Sequence, residues 1–332
     1  EKAISIKSDY VDAIYNMGIA LQSQSNLIGA EKAYKTVIEI NPNILSAHLN
    51  LGNTFRSLGR MHEARNCFDK IENDDSLVQS LECTYNLGEF DEFNNRLAIF
   101  TEKNQKSIRA AAISAFAANQ IPQEDNYKFC KNALDYLHIS NIKNHIKSHP
   151  KFIKSILKEM DKQTVTWEPP NKSTKGGYQS DSDLFARSSQ NINTLKSIIL
   201  KELDLFRAKH SDKESILIQN WPKDAKLNAW FVRLTTKGYQ SSHIHATGWV
   251  SGVIYLKTIE DPVDDEGAIR FGLHGYDYKV RNKDSPTHTY QPENGDLVLF
   301  PSSLFHETIP VLQNVERCVI AFDLMPSTLL YT

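Results

Sequence analysis

A histidine pattern in the last third of the chain constrains the fold more than any other feature. The stretch from Gln240 to Leu324 contains the short apolar runs SSHIHATGWVSGVIYL, GDLVLFPSSLFHETIP and ERCVIAFDL, rich in Val, Ile, Leu, Phe and Tyr and bounded by Gly, Pro or Asn. Runs of that kind read as strands. His243 and His245 stand one residue apart at the mouth of the first run. Strand side chains alternate faces with period 2, so both imidazoles are expected to point the same way. Far downstream His306 ends another strand, and Arg317 opens the last one.

The residues GYQSSHIHATGWVSGVIYL, GAIRFG, GDLVLFPSSLFHETIP and ERCVIAFDLMP resemble the 2OG-Fe(II) oxygenase family found in bacteria and phages. So does WEPPNKSTKGGYQSDSDLF, from Trp167 to Phe185. The similarity runs in register through separate motifs over residues 165–328. It implies a double-stranded β-helix (jelly roll) with flanking helices that holds one Fe(II) and uses 2-oxoglutarate and O2. Iron in such sites is usually held by two histidines and one carboxylate, leaving open positions. In the wider superfamily these ligands come from an HxD pair and a distal histidine. Here His245 stands where that Asp would be.

The resemblance therefore implies His243 and His306 as metal ligands. His245 either completes a three-histidine set or hydrogen-bonds substrate or a water. Arg317 occupies the family's position for the cation that pairs with the far carboxylate of 2-oxoglutarate, and its planar fork suits bidentate pairing. Val319 stands where many relatives carry a hydroxyl residue. Arg233 on AWFVRL, and Ser251 and Tyr255 on WVSGVIYL, are further candidates for lining the pocket. The loop 272–295, with the acidic turn DPVDDEG (261–267), is expected to form a substrate-selecting rim, and it carries His274 and His288 as ordinary exposed residues.

The N-terminal part follows a different rule. Residues 1–75 repeat with a period of 34: Gly18 matches Gly52, Ala30 matches Ala64, Tyr34 matches Phe68, and Val37 matches Ile71. That period, with small and aromatic residues so placed, resembles the tetratricopeptide repeat (TPR). The opening EKAISIKSDY reads as the tail of a preceding repeat. Pro42 is expected to stop a helix. The register decays at LGEFDEF (87–93), and a last helix pair is expected over 108–120 and 126–137. The expected architecture is α+β multidomain: an all-α TPR-like solenoid over 1–137, a helical linker over 138–164, and the jelly roll over 165–332. In the linker Lys143, Lys147, Lys151, Lys154, Lys158 and Lys162 are expected along one solvated helical side, and His145 and His149 are read as surface residues at i, i+4 of the same helix. A helix over 192–206 should pack outside the barrel.

With 332 residues, 40% hydrophobic and 23% charged, the composition is that of a globular protein of two domains. A net charge of −2 gives no reason to expect nucleic acid or a membrane as partner. The four cysteines (Cys67, Cys83, Cys130, Cys318) form no CxxC pattern and read as reduced, buried thiols. A cytoplasmic setting is expected, although Glu1 is not a methionine and a targeting segment could precede it. The leading expectation is a dioxygenase that hydroxylates a substrate C–H, with the repeat groove taking a protein or peptide. Two alternatives stand beside it. One is a TPR interaction protein with a degenerate barrel. The other is a cupin-like metal enzyme, which usually adds a Glu where this chain has Trp249 and Val250.

Overall fold

A computed structural model describes residues 10–170, 172–181, 183–186 and 189–327. The segment 1–9, expected to be the tail of a preceding repeat, lies outside them. The chain divides into two compact units, Glu1–Ala110 and Ala111–Thr332.

The first unit is built of helix pairs: α1 (Val11–Ser23) with α2 (Leu27–Ile40), α3 (Leu45–Ser57) with α4 (Met61–Phe68), and α5 (Asp74–Leu87) with α6 (Phe90–Lys103). Asn26 and Asn73 cap α2 and α5 by accepting from the amides of Gly29 and Ser76. Gly59 and Gly88 follow α3 and α5 with φ of +72° and +82°, a left-handed turn that a side chain would disfavour. The 34-residue register is a packing register. A Cβ on Gly18 would lie 2.6 Å from the Tyr34 ring, and one on Gly52 would lie 2.6 Å from the Phe68 ring. Each glycine thus makes room for the aromatic ring of its partner helix. Ala30, Tyr34, Leu51, Phe55, Ala64 and Phe68 share one buried cluster that runs from the first pair into the second. Pro42 follows the end of α2, as expected.

A further helix, α7 (Ile108–Gln120), forms as expected, but its expected partner over 126–137 does not. That stretch is turns and one 3-10 turn at Ala133–Tyr136, entered through Asn132 at a left-handed φ of +52°. Its apolar residues Tyr127 and Phe129 are buried outside any helix, and Ala133 is buried at the start of the 3-10 turn. The expected linker 138–164 is also not simply helical. Strand β1 (His138–Asn141) pairs with residues 296–299, and only α8 (His149–Met160) is an α-helix there. The helix α8 buries Ile153, Ile156 and Met160 and leaves Lys151, Lys154 and Lys158 exposed. Lys143, Lys147 and Lys162 lie outside this helix, so the expected lysine side is shorter than six residues, and His145 precedes the helix and shares no helical face with His149.

The second unit is a curled antiparallel sheet of jelly-roll type. Its remaining strands are β2 (Val165–Trp167), β3 (Thr174–Ser180), β4 (Ala225–His243), β5 (Val250–Lys257), β6 (Ile269–Gly272), β7 (Thr287–Tyr290), β8 (Asp296–Pro301), β9 (Phe305–Thr308) and β10 (Arg317–Pro326). The order is β1-β8-β5-β10-β4-β9-β6-β7, with β2 and β3 attached through β4. Along its length β4 exchanges β10 for β9 as partner, and an irregularity between Gln240 and His243 marks that corner. The long helix α9 (Gln190–Lys209), expected over 192–206, buries Ile192, Leu195, Ile199 and Phe206. The expected rim loop 272–295 is partly a hairpin, since β7 pairs with β6. Among the described residues no helix is long and apolar enough to cross a membrane.

Candidate metal centre

Sheet closure brings the three histidines together. His243 ends β4 and is the Cα partner of His306 on β9, which in turn pairs with Phe271 on β6. His245 lies just past β4, so period-2 alternation does not place it. Its amide donates to the Ser302 carbonyl at 3.1 Å, and its carbonyl accepts from Gly248 at 2.9 Å. The ring centroids lie 4.3 Å (243–306), 5.0 Å (245–306) and 5.2 Å (243–245) apart. One nitrogen from each ring falls within a single 4.8 Å cluster.

Nδ1 is held in each ring, and Nε2 of His243 also lies 3.2 Å from Ser173 Oγ. Nδ1 of His243 donates to the Ser241 carbonyl at 2.7 Å, Nδ1 of His306 to the Leu304 carbonyl at 3.1 Å, and Nδ1 of His245 to Asp323 Oδ1 at 2.6 Å. All three Nδ1 partners are oxygens, so each Nδ1 carries a proton and Nε2 is the nitrogen turned to the cluster. Nε2 of His243 and of His245 are 3.2 Å apart. Burial, with the neighbouring His245 ring, pushes the His243 imidazole down to about 3. Burial, with both neighbours, holds His306 well below its ordinary range. The His243 and His306 imidazoles are thus held neutral, and with the His245 ring they converge on one point, a donor set suited to iron and other first-row ions. Among the described residues no carboxylate belongs to the cluster.

Deeper in the barrel lies Arg317, only 2% exposed. Its Nε donates to the Gly267 carbonyl at 2.8 Å, and its guanidinium carbon lies 5.0 Å from the Tyr255 ring centroid. Among the described residues no carboxylate pairs with it, and Arg317 Nη1 and the Tyr255 hydroxyl both lack a hydrogen-bond partner. A buried guanidinium without a counter-ion is costly, and such orphaned groups call for a ligand. Burial pushes the Tyr255 phenol up to about 12, so its O–H remains available to donate. Val319 and Tyr255 are Cα partners on adjacent strands. Two buried donors and a fixed positive charge fit a carboxylate such as the far end of 2-oxoglutarate.

The other expected pocket residues fall elsewhere. Arg233 alternates with Val232, which pairs with Val319 on the inner face, so Arg233 points outward. It pairs there with Asp161 and, at 3.9 Å, with Glu316. Ser251 faces inward but stands behind His245, with its Oγ 2.6 Å from Asp323 Oδ1. In the acidic turn, Glu266 is buried and accepts from the amides of Leu312 and Gln313, so it braces the shelf under Arg317. His274 is exposed, with Nε2 2.9 Å from the Tyr278 carbonyl, and His288 is exposed on β7. His145, read as a surface residue, is bound instead to buried Glu202 at 2.5 Å, and His138 holds the other oxygen at 2.7 Å. All four cysteines are buried thiols.

Sequence reasoning missed Asp323 and Trp230. The Trp230 ring lies 5.4 Å from His245, and both Trp230 and Tyr276 line a cleft of about 690 Å³ that opens on His243 and His245. Tyr276 sits there at φ +52°, a strained conformation for a bulky residue of the kind found at ligand clamps. A signal for Asp323 was present: it is a lone carboxylate in the apolar run RCVIAFDL.

A family model described as "Putative 2OG-Fe(II) oxygenase" matches residues 228–323, which include all three histidines, Arg317 and Asp323. The tetratricopeptide repeat model matches residues 11–44 and 45–72. No curated protein matches the chain. Similar solved structures include a prolyl-4-hydroxylase from Pseudomonas putida, with 18% identity, 57% of this chain and 91% of that chain covered, and a TM-score of 0.39. A second is HygX from Streptomyces hygroscopicus with nickel and 2-oxoglutarate bound, at 14% identity, 57% and 83% coverage, and a TM-score of 0.37. A third is a prolyl hydroxylase from Trichoplax adhaerens in complex with a hypoxia inducible factor peptide fragment, at 13% identity, 66% and 94% coverage, and a TM-score of 0.43.

Proposed function

We propose that the second unit is an Fe(II)- and 2-oxoglutarate-dependent dioxygenase that hydroxylates a C–H bond of a substrate seated in the cleft beside Trp230 and Tyr276. The observation that carries this reading is the pairing of three Nε2-presenting histidines with a buried arginine that has no counter-ion. When bound, iron with 2-oxoglutarate supplies oxygen activation: one O2 and one 2-oxoglutarate are consumed, and hydroxylated substrate, succinate and CO2 are released.

Residues of the chain divide the remaining work. His243, His245 and His306 would hold the ion from one side, leaving the opposite side open to cosubstrate. Arg317 would pair with the far carboxylate of 2-oxoglutarate, and Tyr255 would donate its O–H to the same group in place of a hydroxyl at position 319. Val232 and Val319 are buried on the same inner face and keep water from this depth, which strengthens the charge pairing. The helical repeats would present their groove to a protein or peptide that brings or positions the substrate.

The test uses the full chain, purified without metal and reloaded anaerobically with Fe(II). Succinate formation from 2-oxoglutarate on admitting O2, dependent on Fe(II) and lost in Arg317→Ala, is the expected result. If the Fe(II)-loaded wild type neither binds 2-oxoglutarate by calorimetry nor forms succinate, the reading is wrong.

A further inference from the structure

Asp323 is a carboxylate set in an apolar strand and is 6% exposed. Burying a carboxylate is unfavourable unless donors surround it. Its Oδ1 accepts from His245 Nδ1 at 2.6 Å and from Ser251 Oγ at 2.6 Å. Ser302 Oγ lies 2.8 Å from Ser251 Oγ, and since Ser251 gives its proton to Asp323, Ser302 is the donor to Ser251. The backbone braces this group: Ser302 O accepts from His245, and Leu324 O accepts from Trp249 at 2.7 Å. Gly248 closes over it, since a Cβ there would lie 2.5 Å from Ser302 Oγ and 3.2 Å from Asp323 Cγ. Among the described residues no lysine or arginine pairs with Asp323.

The three rings are therefore unequal. His243 and His306 lean on neutral carbonyls, and His245 alone leans on a carboxylate. It is also the ring that stands where a direct carboxylate ligand would be expected. We propose that Asp323 is a positioning residue of the metal centre: acting through His245, it returns to the three-histidine site the negative charge of the absent carboxylate ligand and fixes the ring with Nε2 toward the ion. A carboxylate behind a ligating histidine sets the tautomer and makes the ring a stronger donor. The inference rests on reading the three histidines as Fe(II) ligands.

The experiment compares wild type, Asp323→Asn, Ser251→Ala, His245→Asp and the His245→Asp/Asp323→Asn double variant, each as the full chain freed of metal. Anaerobic competition of Fe(II) between protein and chelator gives affinity, and redox titration of the iron-loaded proteins gives the Fe(III)/Fe(II) potential. Asparagine keeps the shape and an acceptor oxygen but drops the charge. Asp323→Asn is expected to bind Fe(II) about 10–100-fold more weakly and to have a raised potential. In the His245→Asp background the same change should cost less than about threefold, because the charge then sits on the metal and the two positions are coupled. Ser251→Ala removes a donor from Asp323 but leaves its charge, so its potential should fall; this variant carries the test if Asp323→Asn fails to fold. Unchanged affinity and potential in Asp323→Asn, an equal loss in both backgrounds, or a potential in Ser251→Ala that rises or stays put overturns the proposal. A wild type that binds no Fe(II) removes the three-histidine reading and the inference with it.

Discussion

Arg317 and Tyr255 meet inside the barrel with the guanidinium carbon 5.0 Å from the ring centroid, and each keeps one polar atom without a hydrogen-bond partner. The pair is a preformed seat for an anion. Arg317→Ala is expected to weaken 2-oxoglutarate binding by roughly 3–5 kcal/mol, the cost of breaking a buried charged pair. Tyr255→Phe removes one neutral donor and should cost about 1 kcal/mol. Metal content should stay near that of wild type in both. Anaerobic calorimetry decides, and equal affinity in wild type and Arg317→Ala would sink the assignment.

Alanine at His243 or at His306 is expected to abolish Fe(II) binding and turnover, because the two face each other as strand partners. His245→Asp should keep iron bound, since it restores the common two-histidine, one-carboxylate set. His245→Ala is the informative variant. Near-normal Fe(II) affinity in an anaerobic titration of that protein would leave a two-histidine site and refute the three-histidine proposal.

The Glu202 carboxylate gives a pH prediction away from the centre. Burial alone would raise it, but hydrogen bonds from His138 and His145 outweigh burial and hold it at about 2 against an ordinary 4.5. A depressed folded-state value means stability that is fully present above pH 4.5 and is lost as pH falls toward 2. The shift corresponds to roughly 3 kcal/mol at neutral pH. Glu202→Gln should therefore lower the urea midpoint clearly at pH 7, with the gap from wild type narrowing below pH 4. A gap that stays constant between pH 7 and pH 3 contradicts this account.

In the repeats, Ala64 is fully buried within the cluster of Leu51, Phe55 and Phe68. Ala64→Leu should destabilise by roughly 1–3 kcal/mol through overpacking, with helix propensity almost unchanged. Thermal unfolding followed at 222 nm measures it. No shift in midpoint would mean that the second pair packs otherwise.

The parts of this protein that were legible in the sequence are those whose information is local or repeats. The match of Gly18 to Gly52 and of Tyr34 to Phe68 reports one helix face packed the same way twice, so the repeats could be read before any coordinates. That His243, His306 and Arg317 stand on strands of one sheet was legible because each lies in a motif of the resemblance. Tertiary structure decided what depends on pairing between distant segments. Residues 126–137 have helix-like spacing yet become turns, and 138–141 becomes a strand because residues 296–299 offer it an edge. Arg233 faces outward and Tyr255 inward, a choice set by the register of β4, β5 and β10, which no single strand contains. Asp323 acquired its place behind His245 in the same way: 78 residues separate them along the chain, and only closure of the sheet brings them to 2.6 Å.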